Sequence, residues 1–425
     1  MKYLASLLFL MSAIMCKAQV FDDYFCDKTL RIDYIFSGNN RTQYITLDEL
    51  SQSPGWYGRR SNLDSLMLKG NGQITVTLPE SNKVIYRHSF STLFQEWQST
   101  EEASKTNKSF ENVFIVPFPK QEVDVTVTLS DTHNKETSRF THRVNPSDIL
   151  IRHIGETGIS KWKYIYKGDD PKNVIDVVIV AEGYTAEQED SFYNDCSMAV
   201  ECYHKHEPFA SLKDKFNFIG VFVPSQESGV TIPGKNIWKN TALGSNFDTF
   251  YSARYLTTLR LKKLNDVLAG IPYEHIIILV NSTNYGGGGI YNSYMMSTAH
   301  HATTPAVIVH EFGHSFGGLG DEYFYDDQYE EMYPSDTEPW EPNLTTLVNF
   351  ESKWKNMLPK GTEIPTKADG KDIYHKVGVY EGGGYQSKGV YRPVQECRMK
   401  INEAPEFCPV CDRAIRRLVD FYVKR

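Results

Sequence analysis

Between residues 21 and 144 the chain runs in short stretches where apolar and polar residues alternate: residues 32–36 (IDYIF), 73–78 (QITVTL), 113–116 (VFIV) and 123–129 (VDVTVTL). Alternation sends successive side chains to opposite faces, so each stretch predicts a strand, and the Gly-, Asn- and Ser-rich segments between them predict turns. The pattern is that of a small antiparallel β-sandwich. Residues 146–158 read as a joint, after which the rhythm changes. Residues 173–181 (NVIDVVIVA), 216–223 and 275–280 are almost continuously apolar, as strands buried on both faces are. Between them lie segments of helical period. Thr185 and Gln188 form a capping box ahead of Phe192, Cys196, Ala199, Val200 and Tyr203, and residues 256–268 repeat the helical spacing. The four glycines 286–289 predict a loop, and residues 291–297 a short strand near a sheet edge. The expected architecture is α+β with two domains: a β-sandwich over residues 19–150, then an α/β domain over residues 159–425.

Residues 1–18, MKYLASLLFLMSAIMCKA, place one lysine ahead of a short apolar core and a small residue before Gln19. This predicts a secretory signal peptide cleaved after Ala18 and an exported protein, periplasmic or extracellular. A lipoprotein acylated at Cys16 is the rival, disfavoured by the bulky Ile14 and Met15. The chain carries 53 acidic against 45 basic residues, a net charge of −8, and no basic stripe for a polyanion, so nucleic acid is not an expected partner. Six cysteines follow the signal segment, an even count that permits disulfides in an exported chain. Cys408-Pro-Val-Cys411 is half of a structural zinc motif, but with only Cys397 beside it and no fourth ligand in view, a disulfide from Cys397 to Cys408 or Cys411 is the expected arrangement.

The chemistry concentrates in residues 304–323, TPAVIVHEFGHSFGGLGDEY. Thr304 reads as an N-cap, Pro305 suits the first helical turn, and Ile308, Phe312 and Phe316 share a core-facing side. His310 and His314 are one helical turn apart, so their imidazoles point the same way and can grip one metal ion. A catalytic zinc needs a third protein ligand and an open position for water. The glycine-rich turn 317–320 would swing Asp321 back to the ion; Glu322 is the alternative, since both residues ligate through oxygen. Glu311 is placed to take the water's proton and deliver it to the leaving amine. His300 and His301 are expected to face solvent. The acidic loop Asp326-Asp327 with Glu330-Glu331 lacks the glycine and terminal glutamate of a calcium loop.

HEFGHSFGGLGDEY is similar to the signature of the IgA-specific metalloendopeptidase family of the metzincin clan. The resemblance implies a β-rich N-terminal domain followed by a metzincin-like zinc metallopeptidase domain, one catalytic Zn2+ and a protein or peptide substrate. Gly317 matches the metzincin glycine. The slot of the clan's third histidine holds Gly320, which supports Asp321 as ligand. Met399 matches the methionine of the turn beneath the metal, with plain core packing as its other reading. A terminal helix from Pro409, with Ile415, Leu418, Val419 and Tyr422 on one face, follows in the clan's order. Ile401 stands where some members carry a tyrosine; Tyr323 is a candidate aid to the oxyanion. The expected function is therefore a secreted zinc endopeptidase. A surface-binding protein that keeps the fold without turnover, and a zinc hydrolase of non-peptide amides, stay open. Residues 291–297 are expected to pair with an extended substrate, and the N-terminal domain to contact large substrates, glycans or protein surfaces.

Overall fold

Strand alternation in the first third folds into two four-stranded sheets. A computed structural model describes residues 19–169, 173–326 and 332–423; the expected signal segment and most of the acidic loop (Asp327, Glu330, Glu331) lie outside them. After a single helical turn, α1 (Phe21–Tyr24), come β1 (Phe25–Gly38), β2 (Gln43–Pro54), β3 (Gly72–Thr77), β4 (Val84–Phe90), α2 (Leu93–Gln98), β5 (Lys108–Pro119), β6 (Val123–Ser130), β7 (Glu136–Val144) and β8 (Arg152–His153). The sheets have the orders β5-β1-β2-β8 and β4-β3-β6-β7. Their pairings are antiparallel except for β2 with β8, which is parallel. In β6 the apolar residues are buried at every second position. Phe36 and Phe114 of one sheet meet Phe90 of the other, so the two inner faces share one core.

The second part carries β9 (Lys161–Tyr166), β10 (Ile175–Glu182), α3 (Glu189–His204), β11 (Phe216–Phe222), α4 (Leu261–Val267), β12 (His275–Val280), β13 (Gly287–Ile290), β14 (Tyr294–Thr298) and α5 (Thr304–Ser315). Beyond these lie β15 (Phe324–Tyr325), β16 (Tyr380–Gly383), β17 (Tyr385–Arg392) and α6 (Pro409–Val423). A six-stranded sheet of order β13-β14-β12-β10-β11-β9 forms its centre, with β10, β11, β12 and β14 parallel and an antiparallel strand at each edge. Every residue of β10, β11 and β12 is buried, which is why these strands lack alternation. Val178, Val180, Ile219, Ile276 and Ile278 join the core of the N-terminal sheets. Their neighbours Val177, Ile179, Phe218, Ile277 and Leu279 pack with α3, α5 and α6. The hydrophobic core thus runs across the joint at residues 146–158, and the central sheet lies between the N-terminal sheets and the helices.

Three local expectations are corrected. The helical period of residues 256–268 yields a helix only over Leu261–Val267, because Thr257 is tied to Asn246 and the Leu256 N–H donates to the Gly287 carbonyl. The glycines at 287–289 form an edge strand rather than a loop. Consequently β14 is interior, with β12 and β13 on its two sides, and no substrate strand can add to it. The Thr185–Gln188 capping box is present and opens a short 3-10 turn that leads into α3. Among the described residues no helix is long and apolar enough to cross a membrane.

Candidate metal centre

Helix α5 begins one residue earlier than expected, with Thr303 at the cap, while the Thr304 hydroxyl donates to the Thr298 carbonyl. Ile308, Phe312 and Phe316 are fully buried, which turns the opposite side of α5 toward a cleft. After Ser315 the chain reverses: Gly318 takes φ +58°, a left-handed conformation that glycine adopts at little cost. The reversal brings Asp321 back over the helix.

The Nε2 atoms of His310 and His314 are 3.1 Å apart, and each is 3.2 Å from Asp321 Oδ1. Both Nδ1 atoms lie on carbonyl oxygens, His310 on Arg398 at 2.9 Å and His314 on Leu319 at 2.6 Å. With Nδ1–H donating, the Nε2 lone pairs face the centre of the triangle. Asp321 Oδ1 is buried and accepts no hydrogen bond. Three electron pairs converging on one point require a cation. A proton partly answers the need: although burial opposes it, Asp321 pulls His314 up to about 9. Conversely, against its own burial, Asp321 is held well below the ordinary carboxyl value by His314 and His310. A proton can serve only one edge of the triangle at a time. The donor atoms of a tetrahedral zinc with Zn–N of about 2.0–2.1 Å stand about 3.3 Å apart, so these residues fit a metal ion.

Further hydrogen bonds hold the triangle in place, as is usual around side chains that bind metals. Asp321 Oδ2 accepts a hydrogen bond of 2.5 Å from the Tyr385 hydroxyl, and its backbone carbonyl accepts from the Gly384 N–H. Met399 is fully buried beneath α5, where a side chain at Gly313 would meet its sulfur at 2.7 Å. Glu311 lies against β13, and burial, opposed by the two histidines, raises its carboxyl above the ordinary value. Glu322 points the other way, into the protein, where its Oε1 accepts from Asn343 Nδ2 at 2.9 Å. His300 is exposed and pairs with Asp195, and His301 contacts Thr303, so neither belongs to the triangle.

His310, Glu311, His314 and Asp321 lie on the floor of a cleft of about 800 Å³. Tyr323 lines it, its hydroxyl accepting from Arg254 Nη2 at 3.1 Å. The N-terminal part contributes Asn71, Ser91, Glu96, Ser99 and Thr100 to the same walls. Glu96, half-buried beside Tyr255, is pushed up to about 7 by its partial burial, against the Tyr255 hydrogen bond. Tyr385, Arg254 and Glu96 were not among the residues the sequence singled out. Each is far from the HExxH motif in the chain, and isolated tyrosines, arginines and glutamates carry no spacing signal.

Fold and site define an α+β protein with a candidate metal centre at the base of an open cleft. The chain belongs to the IgA Peptidase M64 family: that family's model matches residues 164–376 and 368–419, and the model of the Peptidase M64 N-terminus matches residues 20–141. The resemblance carried by HEFGHSFGGLGDEY is thereby borne out at the level of the family. It makes the chain a peptidase by family, a hydrolase whose substrates are proteins or peptides. No curated protein matches the chain.

Proposed function

We propose that this is an exported, zinc-dependent endopeptidase of metzincin type in which His310, His314 and Asp321 hold the ion and Glu311 is the general base. The observation that carries the reading is the near-equilateral triangle of Nε2, Nε2 and Oδ1 atoms on the cleft floor, beside Glu311. A zinc ion there would supply a Lewis acid for the scissile carbonyl and for the attacking water. The protein's own residues do the rest. Glu311 takes the water's proton and passes it to the leaving amine, and burial strengthens its hold on that proton. Tyr323, with Arg254 behind its hydroxyl, is positioned on the cleft wall to donate toward a developing oxyanion. Met399 acts as packing beneath the helix that carries both histidines. The domain assignments, residues 19–150 and 159–425, become parts of one enzyme, since Asn71 and Glu96 of the first line the cleft of the second. A protein that only bound surfaces would have no use for Glu311.

The test is digestion of a mixed-protein substrate, with new peptide termini read by mass spectrometry. Cleavage by the zinc-loaded protein, its loss on chelation and its return with added Zn2+ are expected. Absence of new termini in all three conditions would overturn the reading.

Two smaller effects follow from the walls of the site. A side chain at Gly287 would bring its Cβ within 2.6 Å of Glu311 Oε1 and 3.0 Å of its Cδ. Because the atoms that must move belong to the Glu311 side chain, from Cγ outward, and not to backbone, Gly287→Ala should fold and bind metal normally while displacing the base. A misplacement of that size is expected to lower kcat about 100-fold with metal content unchanged. Tyr385→Phe removes the hydroxyl that donates to Asp321 Oδ2. Its zinc dissociation constant should rise about 10–100-fold, as for other changes behind a ligand, measured by competition with a chromophoric chelator.

A further inference from the structure

Behind Asp321, on the side away from the cleft, Glu322, Cys397, Cys408 and Cys411 converge. All four are essentially inaccessible, at 0–1% exposure, and one ligand atom from each lies within 4.8 Å of every other. The three cysteines are free thiols, so the disulfide expected from the sequence is not formed. Cys397 Sγ is 3.9 Å from Cys411 Sγ, and Cys411 Sγ is 3.3 Å from Glu322 Oε1. Around a tetrahedral ion with Zn–S of about 2.3 Å and Zn–O of about 2.0 Å, the S–S edge is about 3.8 Å and the S–O edge about 3.5 Å. The second carboxylate oxygen, Glu322 Oε2, is buried with no hydrogen-bond partner. A buried carboxylate with an orphaned oxygen, among thiols, is costly unless a cation compensates it.

Backbone N–H groups and the start of a helix face the sulfurs. The Cys408 N–H lies 3.3 Å from Cys397 Sγ, and the Cys411 N–H 3.5 Å from Cys408 Sγ. Cys411 sits in the first turn of α6, with Cys408 immediately before it, where the helix dipole favours negative charge. Asn343 donates to Glu322 Oε1, and the buried Arg392 guanidinium acts on the same carboxylate.

We propose that Glu322, Cys397, Cys408 and Cys411 bind a second metal ion, a structural Zn2+, independent of the peptidase reading of the first centre. Binding converts the three thiols to thiolates and releases their three protons to solvent; no redox partner is involved. Four protein ligands leave no open position, which suits a structural rather than a catalytic role. The ion would join the segment after α5, the segment carrying Met399 and the start of α6. It would also brace the first centre from behind. Glu322 adjoins Asp321 and its N–H donates to the Met399 carbonyl at 2.8 Å, while Cys397 adjoins Arg398, whose carbonyl holds His310 Nδ1.

Native mass spectrometry of the full chain loaded with Zn2+ tests the proposal, with the His310→Ala/His314→Ala and Cys408→Ser variants alongside. Two ions are expected in the wild type and one in each variant. Loaded with Co2+ instead, the wild type and the histidine variant should show strong thiolate-to-cobalt charge-transfer absorption, absent from Cys408→Ser. If Cys408→Ser fails to fold, the ion count and cobalt spectrum of the histidine variant decide the matter, since its cysteines are intact. A histidine variant with no ion and no charge-transfer band would overturn the proposal. So would a disulfide between two of Cys397, Cys408 and Cys411, located by peptide mapping of the unreduced wild type. Neither outcome bears on whether the first centre cleaves peptides.

Discussion

Glu311→Gln is expected to lower kcat by roughly 10²–10⁴-fold, the usual worth of a positioned proton-transfer group, while the protein keeps its fold and its full metal content. The substitution is close to isosteric, and Glu311 is not one of the three atoms of the triangle. What it removes is the ability to take a proton. The surroundings are matched to that task, since burial raises the Glu311 carboxyl above its ordinary value and the neighbouring histidines only partly offset it. The measurement is steady-state turnover of a peptide identified in the digestion experiment, beside zinc analysis of the same preparation. Turnover within about tenfold of wild type would remove Glu311 from the mechanism and leave proton transfer to another group. Loss of zinc together with activity would instead mean that the carboxylate is a ligand, and the role assigned to Asp321 would have to be redrawn.

The contrast between residues legible in the sequence and those that were not has a physical basis. The runs at 173–181, 216–223 and 275–280 announced β10, β11 and β12 because burial on both faces selects β-branched and aromatic residues without alternation. His310 and His314 were legible because helical period alone puts them on one face. The glycines of β13 were not. Glycine is a poor strand former by local criteria, and its reason here is tertiary: side chains at Gly287 and Gly289 would strike Glu311 and the backbone of α5. The cysteine cluster was half legible. Cys408 and Cys411 gave the motif, but Cys397 looked like a disulfide partner because the fourth member, Glu322, lies 75 residues upstream of it. Tyr385, 64 residues from Asp321 in sequence, gave no signal at all.

The choice between the adjacent acids 321 and 322 shows most directly what geometry adds, and it carries the second large effect. Both residues can ligate a metal through oxygen, so chemistry leaves them equal. The backbone does not: the two side chains leave the chain on opposite sides, Asp321 toward the imidazoles of α5 and Glu322 toward the thiols at the start of α6. Asp321→Ala should therefore cost more than the roughly 10–100-fold in metal affinity typical of a residue behind a ligand. It should strip the ion from the first centre at micromolar zinc and abolish turnover, because two histidines alone do not hold a catalytic zinc. Glu322→Ala should leave that ion in place, since Asp321 Oδ1 stays 3.2 Å from both Nε2 atoms. Chelator competition on the two variants separates the cases. The reverse pattern, first-centre zinc lost with Glu322 and kept without Asp321, would require the segment 319–323 to turn over on metal binding. That would break the Tyr385–Asp321 and Asn343–Glu322 hydrogen bonds together.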